Sequence, residues 1–297
     1  MFRPQSPLSS LRTAVLVGLF FMFPLSALLA ADSEQCLMRY KLTPGEEIRF
    51  QVEHLANTKT RLDSTDVASS VRTVSTKVWR VTDVNDEGEM TFEHFIEAVE
   101  MSQQNGDSEE ILWNSESGEE APRAFRAVSD QLGKVIATIR INDQGQERER
   151  LDDKGTKTDL GMGGITIPLP ETPVKIGGRW SVPRQIRVRT QDGEVKMIKV
   201  RELYTLEKLS AGVATISVRS EPLTPISTPK IKSQVLQQLS NGTVRFDVDA
   251  GRTLSKQLDW DETVVGFDGA DSMMEYRARL TETLVTDPTT RTAKRTR

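Results

Sequence analysis

Cysteine and histidine are almost missing from this sequence, and their scarcity excludes several kinds of protein. Cys36 is the single cysteine among the 297 residues, so no disulfide can form within the chain. His54 and His94 are the only histidines, and no histidine or cysteine spacing typical of a zinc site occurs. We therefore predict no metal site and no cofactor, because any metal would depend on carboxylates for most of its ligands.

Catalytic motifs are missing as well. The sequence has no Gly-x-Ser-x-Gly elbow, and residues 161–164 (Gly-Met-Gly-Gly) lack the Lys-Ser/Thr pair of a phosphate-binding loop. Asp247 and Asp249 hint at a calcium loop, but Gly251 follows one position too early, so a hairpin turn explains them better. The 43 acidic residues make chance carboxylate pairs unavoidable, and no glycosidase-type pair stands out. We predict a protein that is not an enzyme, with a hydrolase of unrecognised carboxylate chemistry as the least favoured alternative.

Positive charge is not in excess either. The chain carries a net charge of −4, so it has no general electrostatic attraction to nucleic acid, and we predict no nucleic-acid partner. Its 37% of hydrophobic and 28% of charged residues are typical of a globular protein. Basic residues are concentrated in residues 287–297, which we predict to form a disordered tail.

The first 31 residues have the pattern of a secretory signal peptide. A positive segment with Arg3 and Arg12 precedes an uncharged stretch that ends in Ala30 and Ala31, and cleavage after either alanine would fit. An uncleaved membrane anchor is the alternative, although a proline within the stretch makes it a poor long helix. No second apolar run reaches spanning length. We therefore predict that the mature chain is extracytoplasmic, either periplasmic or secreted, with no transmembrane segment after cleavage.

Short runs of alternating apolar and polar residues dominate the rest of the chain. Residues 48–52 (Ile-Arg-Phe-Gln-Val), 139–141 (Ile-Arg-Ile) and 244–246 (Val-Arg-Phe) are examples. Such period-two alternation predicts half-buried strands, and the Asp, Asn and Gly residues between the runs favour tight hairpin turns. One apolar and one polar face on each strand indicates an antiparallel sheet.

Two segments interrupt the strands with a helical period. Apolar residues three and four positions apart predict short helices within 122–132 and 230–240. Each segment follows a Gly-opened strand and a hairpin and precedes a strand and a Gly turn, which indicates an internal duplication. We divide the mature chain into a first β-rich repeat (32–152), a Gly/Pro-rich linker (153–173) and a second β-rich repeat (174–286). The expected fold is mainly β (α+β), with duplicated antiparallel curved sheets or half-barrel units that each carry one short helix.

Three segments carry a resemblance to a known family. Residues 173–180 (Pro-Val-Lys-Ile-Gly-Gly-Arg-Trp) resemble a Pro-Val-Lys-x-Gly-x-x-Trp element that opens the second half of a family of uncharacterised exported bacterial proteins. Residues 246–252 (Phe-Asp-Val-Asp-Ala-Gly-Arg) and 132–135 (Leu-Gly-Lys-Val) are similar to that family too. The family is a domain of unknown function, so the resemblance implies no catalytic residues. Its layout resembles the curved half-barrels of lipoprotein-carrier-like periplasmic proteins, an analogy at the level of the fold.

Open curved sheets with a helix near one mouth form apolar clefts suited to ligands, so we predict a binding protein for an apolar or lipid-like molecule or for an envelope protein. A structural or protein-interaction component of the cell envelope or surface is the alternative. The candidate ligand-binding residues are His54, His94, Phe92 and Trp113. The histidines lie on apolar strand faces, where such residues are usually structural. Trp113 lies in an acidic stretch (107–120), which we expect to be a solvated loop, and it is the best candidate for an exposed contact.

Overall fold

The computed structural model describes residues 35–63, 65–152, 165–190, 192–226 and 228–286. The predicted signal peptide with its cleavage site, most of the predicted linker and the basic tail lie outside these residues. The described residues form twelve strands, two short helices and one 3-10 turn: β1 (Glu47–Leu62), β2 (Thr65–Val84), β3 (Met90–Asn105), β4 (Ile111–Asn114), α1 (Arg126–Ser129), β5 (Ala137–Ile141), β6 (Glu147–Asp152), β7 (Arg179–Arg189), β8 (Val195–Ser210), β9 (Val213–Pro222), α2 (Pro229–Val235), the 3-10 turn (Leu236–Gln238), β10 (Asn241–Asp247), β11 (Arg252–Val265) and β12 (Met273–Leu284).

These strands belong to one antiparallel sheet, in which the first and last strands are neighbours. The order is β6-β5-β3-β2-β1-β12-β11-β10-β9-β8-β7, and β4 pairs with β3. The predicted halves join where β1 pairs with β12, from Phe50 opposite Leu284 to Arg61 opposite Met273. Strands β6 and β7 form the two edges of the curved, open sheet. The prediction of a mainly β fold with a curved antiparallel sheet and short helices is confirmed, while the internal duplication stays a prediction.

Alternation along the strands decides which face of the sheet is buried. Ile139 and Ile141 on β5 and Ile216 on β9 are fully buried on the concave face, and their neighbours in sequence point away from it. The convex face carries rows of arginine and glutamate, such as Arg49, whose Nε lies 3.0 Å from Oε2 of Glu97. Exposed ion pairs contribute only about 0–1 kcal/mol each. The apolar concave face therefore provides most of the stability of the sheet.

An extended segment, residues 36–42, closes one end of the concave side. The backbone N–H of Tyr40 donates to the carbonyl of Asp143 at 2.7 Å, and that of Lys41 donates to the carbonyl of Gly251 at 2.9 Å. These two carbonyls belong to turns that follow β5 and β10, so the segment bridges the two predicted halves. Its alternate side chains, Tyr40 among them, are buried in the main core.

The described end of the predicted linker is part of the core. Ile167 and Leu169 are buried, and the N–H of Ile167 donates to the hydroxyl of Tyr40 at 3.1 Å. The same tyrosine ring packs on Gly145, which has a φ of +73°. A Cβ at that position would lie 2.3 Å from Cε2 of Tyr40, so both the backbone and the packing require glycine there.

Both predicted helices exist, but they are shorter than expected. The first is a single turn, α1, because no side chain caps its start at Phe125 and none of its four residues is buried. The second begins where Thr228 caps the N–H of Ile231 at 3.3 Å and continues into the 3-10 turn at Leu236. Val235 and Ile231 anchor α2 in the core. In the described part of the chain, neither helix has the length and apolar character that crossing a bilayer would need.

Candidate functional site: a cavity in the concave face

The concave face of the sheet bounds a cavity of about 1020 Å³. Strands of both predicted halves contribute to its wall, as do the turn between β5 and β6 and the segment before β7. The apolar and aromatic lining residues are Val52, Ile167, Pro168, Val182, Pro183, Tyr204, Val218, Val244, Leu258, Trp260, Tyr276 and Leu280. The other lining residues are His54, Thr73, Ser75, Gly145, Gln146, Glu147, Arg148, Thr166, Arg184, Glu202, Gln237, Gln238, Ser240 and Lys256.

Strand register brings the apolar lining together as a floor. His54 on β1 lies opposite Leu280 on β12, and Leu280 lies opposite Leu258 on β11. Val244 on β10 lies opposite Lys256, the preceding concave-facing residue of β11. Residues directly opposite each other in an antiparallel sheet share one face. Four neighbouring strands therefore present one continuous surface, which is apolar except where His54, Lys256 and Glu282 interrupt it.

The 3-10 turn forms one side of the cavity and is fixed there by side chains of the sheet. The indole N–H of Trp260 donates to the carbonyl of Leu239 at 2.6 Å. The guanidinium of Arg184 donates to the carbonyl of Gln238, and it also lies 3.5 Å from a carboxylate oxygen of Glu202. Because the last carbonyls of a helical turn have no partner within it, these side chains satisfy them and hold the turn in place.

Three charged residues, Lys77, Lys256 and Glu282, meet at the bottom of the concave face. We refer to them as the lysine–glutamate cluster. The two ammonium groups contact the same oxygen, Oε2 of Glu282, at 2.7 Å for Lys77 and 3.4 Å for Lys256. The side chain of Lys77 is 9% exposed and that of Glu282 is 6% exposed, whereas Lys256 is 16% exposed and lines the cavity. The buried ammonium of Lys77 also lies over the rings of Phe50 and Trp79.

Burial and mutual attraction act in opposite directions on this cluster. Burial lowers the pKa of Lys77, and the nearby carboxylate only partly offsets the effect. Burial by itself raises the pKa of Glu282, but the two ammonium groups outweigh it, and the pKa ends well below its usual range. Glu282 is therefore charged throughout the physiological range, and its charge favours the protonated form of Lys77.

His94 lies beside this cluster and is held neutral. Its Cα lies opposite that of Trp79 across β2 and β3, and its Nε2 is buried without a hydrogen-bond partner among the described residues. Burial lowers the pKa of His94 to about 4, with help from the positive charges of Lys77 and Arg150. An imidazole in this environment is uncharged at neutral pH and behaves as a polar member of the core.

The four residues that the sequence suggested as ligand-binding are not together. His54 lines the cavity, and burial lowers its pKa. Phe92 is fully buried in the core, where its ring stacks on Trp79 at 4.7 Å between centroids, and His94 is its next neighbour on the same face of β3. Neither His94 nor Phe92 lines the cavity. Of the four, the structure places His54 alone where a ligand in this cavity would contact it.

The expectation of an exposed Trp113 in a solvated loop is wrong. Trp113 lies on β4 within the acidic stretch and is only 6% exposed. It packs with Val99 and Phe125 in a separate small core, and its indole N–H donates to the carbonyl of Glu119 at 3.2 Å. The acidic residues around it point to solvent, while a short strand pairs with β3 and buries the one large apolar side chain.

The lysine–glutamate cluster was missed, although the sequence carries a signal for it. Glu282 shares the parity of Leu280 and Leu284 on β12, and Lys256 shares the parity of Leu258 on β11. A charged residue within an apolar period-two stripe faces the core, where it must be paired. The parity of Lys256 and Glu282 therefore predicts two buried charges. It does not predict the order of strands that brings the two side chains together.

A second, shallower depression of about 400 Å³ lies at the tips of two hairpins. It is lined by residues such as Arg61, Asp63, Val265 and Met273. These residues belong to strand ends far from the lysine–glutamate cluster in register. Within the described ranges, no three His, Cys, Asp or Glu side chains are grouped as a metal site would need. The concave cavity is therefore the candidate site.

Comparisons with known proteins identify a solved structure of low overall similarity. No protein-family model matches the chain, and no curated protein matches it by sequence. Among solved structures, the chain is similar to a lipovitellin chain from a structure described as "Lipid-protein interactions in lipovitellin", with a TM-score of 0.43 and 8% identity. The match covers 83% of this chain and 26% of the lipovitellin chain.

Proposed function

We propose that this protein is a non-enzymatic, extracytoplasmic binding protein that holds an apolar, lipid-like ligand in the concave cavity. The observation that carries the proposal is the cavity itself, about 1020 Å³ in volume and floored by apolar residues of four neighbouring strands. Small-molecule pockets measure about 300–1,000 Å³, so this one has room for a long or branched apolar molecule.

The apolar floor supplies the driving force for such a ligand. Leu258 and Leu280 line the cavity and are only half-buried, so part of their apolar surface is open to a ligand. Removing apolar surface from water contributes about 25 cal/mol for each Å² buried on either partner. A ligand that covered this floor would therefore bind chiefly through the hydrophobic effect.

The carboxylates around the cavity support binding over acid–base chemistry. Glu202 accepts a hydrogen bond from the hydroxyl of Tyr204 at 2.7 Å and pairs with Arg184. Glu282 is shared between two lysines. Carboxylates engaged in this way shape the lining, whereas glycoside hydrolysis needs two that face one reacting bond.

Filling the cavity tests the proposal. We expect Leu258→Trp to weaken binding of a neutral apolar probe, hexadecanol, by at least about tenfold, because the larger ring occupies the floor. Val265→Trp is the matched control on the same strand, since Val265 is 63% exposed at the hairpin tip and should leave binding unchanged. The measurement is titration of the purified mature protein, followed by native mass spectrometry.

The outcomes separate the candidate functions. If wild-type protein binds neither hexadecanol nor any lipid extracted from its own compartment, the binding proposal is wrong, and an interaction role in the envelope takes its place. N-terminal sequencing of protein from that compartment tests the location, because export with cleavage predicts a first residue of Ala31 or Asp32.

A further inference from the structure

We propose that the ligand of this cavity is an amphiphile with a single negative charge, and that Lys256 binds its headgroup above the Lys77–Glu282 pair. This inference rests on the proposed function and names the chemical class of the ligand. It follows from the positions and charges of the lysine–glutamate cluster in the cavity wall.

The cluster is unbalanced by one positive charge. Two ammonium groups share one carboxylate oxygen, and among the described residues no other carboxylate lies within ion-pair distance of either ammonium. The neighbouring charges are matched: Arg184 pairs with Glu202, and Arg150 pairs with Glu147. A net charge in a poorly solvated wall is unfavourable unless something compensates it. An anion in the cavity supplies the missing charge.

Lys256 is the member of the cluster that a ligand can reach. It lines the cavity, whereas Lys77 is packed over two aromatic rings and Glu282 is almost fully buried. An ammonium group has three N–H donors. The 3.4 Å contact of Lys256 with Glu282 is longer than the 2.7 Å contact of Lys77, so the carboxylate forms its stronger ion pair with Lys77. Lys256 therefore has donors to offer to a headgroup.

The position of Lys256 also fixes the direction of the apolar part of the ligand. The next concave-facing residues of β11 are Leu258 and Trp260, and both line the cavity. Four residues of a strand span about 13 Å. An acyl chain whose headgroup contacts Lys256 therefore has a path of that length along apolar side chains, ending against Trp260 and Tyr276.

The test compares two probes of equal chain length, hexadecanoate and hexadecanol, at pH 7.5 and low salt. Wild-type protein is expected to bind the acid at least about tenfold more tightly than the alcohol, the usual size of one added charge-assisted hydrogen bond. Lys256→Gln should remove that preference, so that the variant binds hexadecanoate and hexadecanol with similar affinity. Lys199→Gln is the matched control, because Lys199 is an exposed lysine on the convex side of β8.

Each outcome bears on a different claim. If wild-type protein binds hexadecanoate and hexadecanol equally, the anionic headgroup is overturned but the proposed function stands. If wild-type protein binds neither probe, the proposed function itself is overturned. A preference for the acid that survives Lys256→Gln assigns the headgroup elsewhere and overturns the role of Lys256. If Lys256→Gln does not fold, the affinities of wild-type protein for hexadecanoate and hexadecanol are compared at rising salt concentration. The preference for hexadecanoate must then decrease, because salt screens an ionic contact. A lyso-phosphatidylglycerol probe distinguishes a phosphodiester from a carboxylate as the source of the same single charge.

Discussion

Removing the charge of Glu282 should destabilise the protein more than any exposed substitution. At an effective dielectric constant of about 20, a contact of 2.7 Å corresponds to about 6 kcal/mol of Coulomb attraction, before the desolvation of both partners is subtracted. Measured losses on breaking a buried pair are about 3–5 kcal/mol, because the remaining charge is left without a partner. Glu282→Gln leaves two lysines in that situation, so we expect a loss in that range.

Urea unfolding of the mature protein at pH 7, followed by circular dichroism, measures this loss. With a slope of about 2–3 kcal/mol per molar urea, the midpoint should fall by more than about 1 M. Glu275→Gln on the same strand is the control, since its carboxylate is at the surface, 4.0 Å from Arg277, and should change stability by less than about 1 kcal/mol.

A double variant shows whether unpaired charge is the cause. Lys77→Met with Glu282→Leu replaces the shorter ion pair by apolar side chains of similar volume. We expect this variant to regain most of the stability that Glu282→Gln loses, because such replacements are often neutral or stabilising. The reasoning is refuted if Glu282→Gln costs less than about 1 kcal/mol, or if the double variant is no more stable than the single one.

Two further predictions concern the core around the cavity. The pKa of His94 is about 4 in the folded chain and near 6.5 in the unfolded chain, so the free energy of unfolding should fall by up to about 3 kcal/mol as the pH drops through that window. The fall should be smaller in His94→Leu, and urea midpoints at pH 7 and pH 5 measure it, with His54→Leu as the comparison. Equal pH slopes in wild type and His94→Leu would count against this prediction. Gly145→Ala should be at least about 2 kcal/mol more destabilising than Gly193→Ala, because both positions have positive φ but only at Gly145 would a Cβ clash with Tyr40. Similar urea midpoints for the two variants would show that the tyrosine ring can move aside.

The alternation of residues along the strands predicted much of this fold for a clear physical reason. A strand such as β5 buries Ile139 and Ile141 on one side only, and this local constraint is written directly in the sequence. The turns were equally visible, because positions such as Gly145 and Gly251 need a positive φ. The predicted first helix is too long, since none of the four residues of α1 is buried and only flanking residues such as Phe125 and Leu132 pack against the small core.

The pairing of β1 with β12 could not be predicted in the same way. Phe50 and Leu284 are opposite each other although more than 200 residues separate them, and no local pattern encodes that contact. The cavity depends on this pairing, because it joins the floor strands of the two predicted halves. For the same reason, Trp113 was misplaced: its acidic neighbours favoured a loop, while a tertiary contact with β3 created a strand.

The lysine–glutamate cluster connects the energetics of the fold with its proposed function. An apolar cluster of the same volume would make the sheet at least as stable, so folding by itself does not explain why Lys256 faces the cavity. The proposed binding would explain it, because an anionic ligand would compensate the net charge and add stability that rises with the logarithm of its concentration. The protein without ligand should then carry an electrostatic penalty that the complex lacks. Lys256 would then lower the stability of the ligand-free protein and also determine which amphiphiles bind in the cavity.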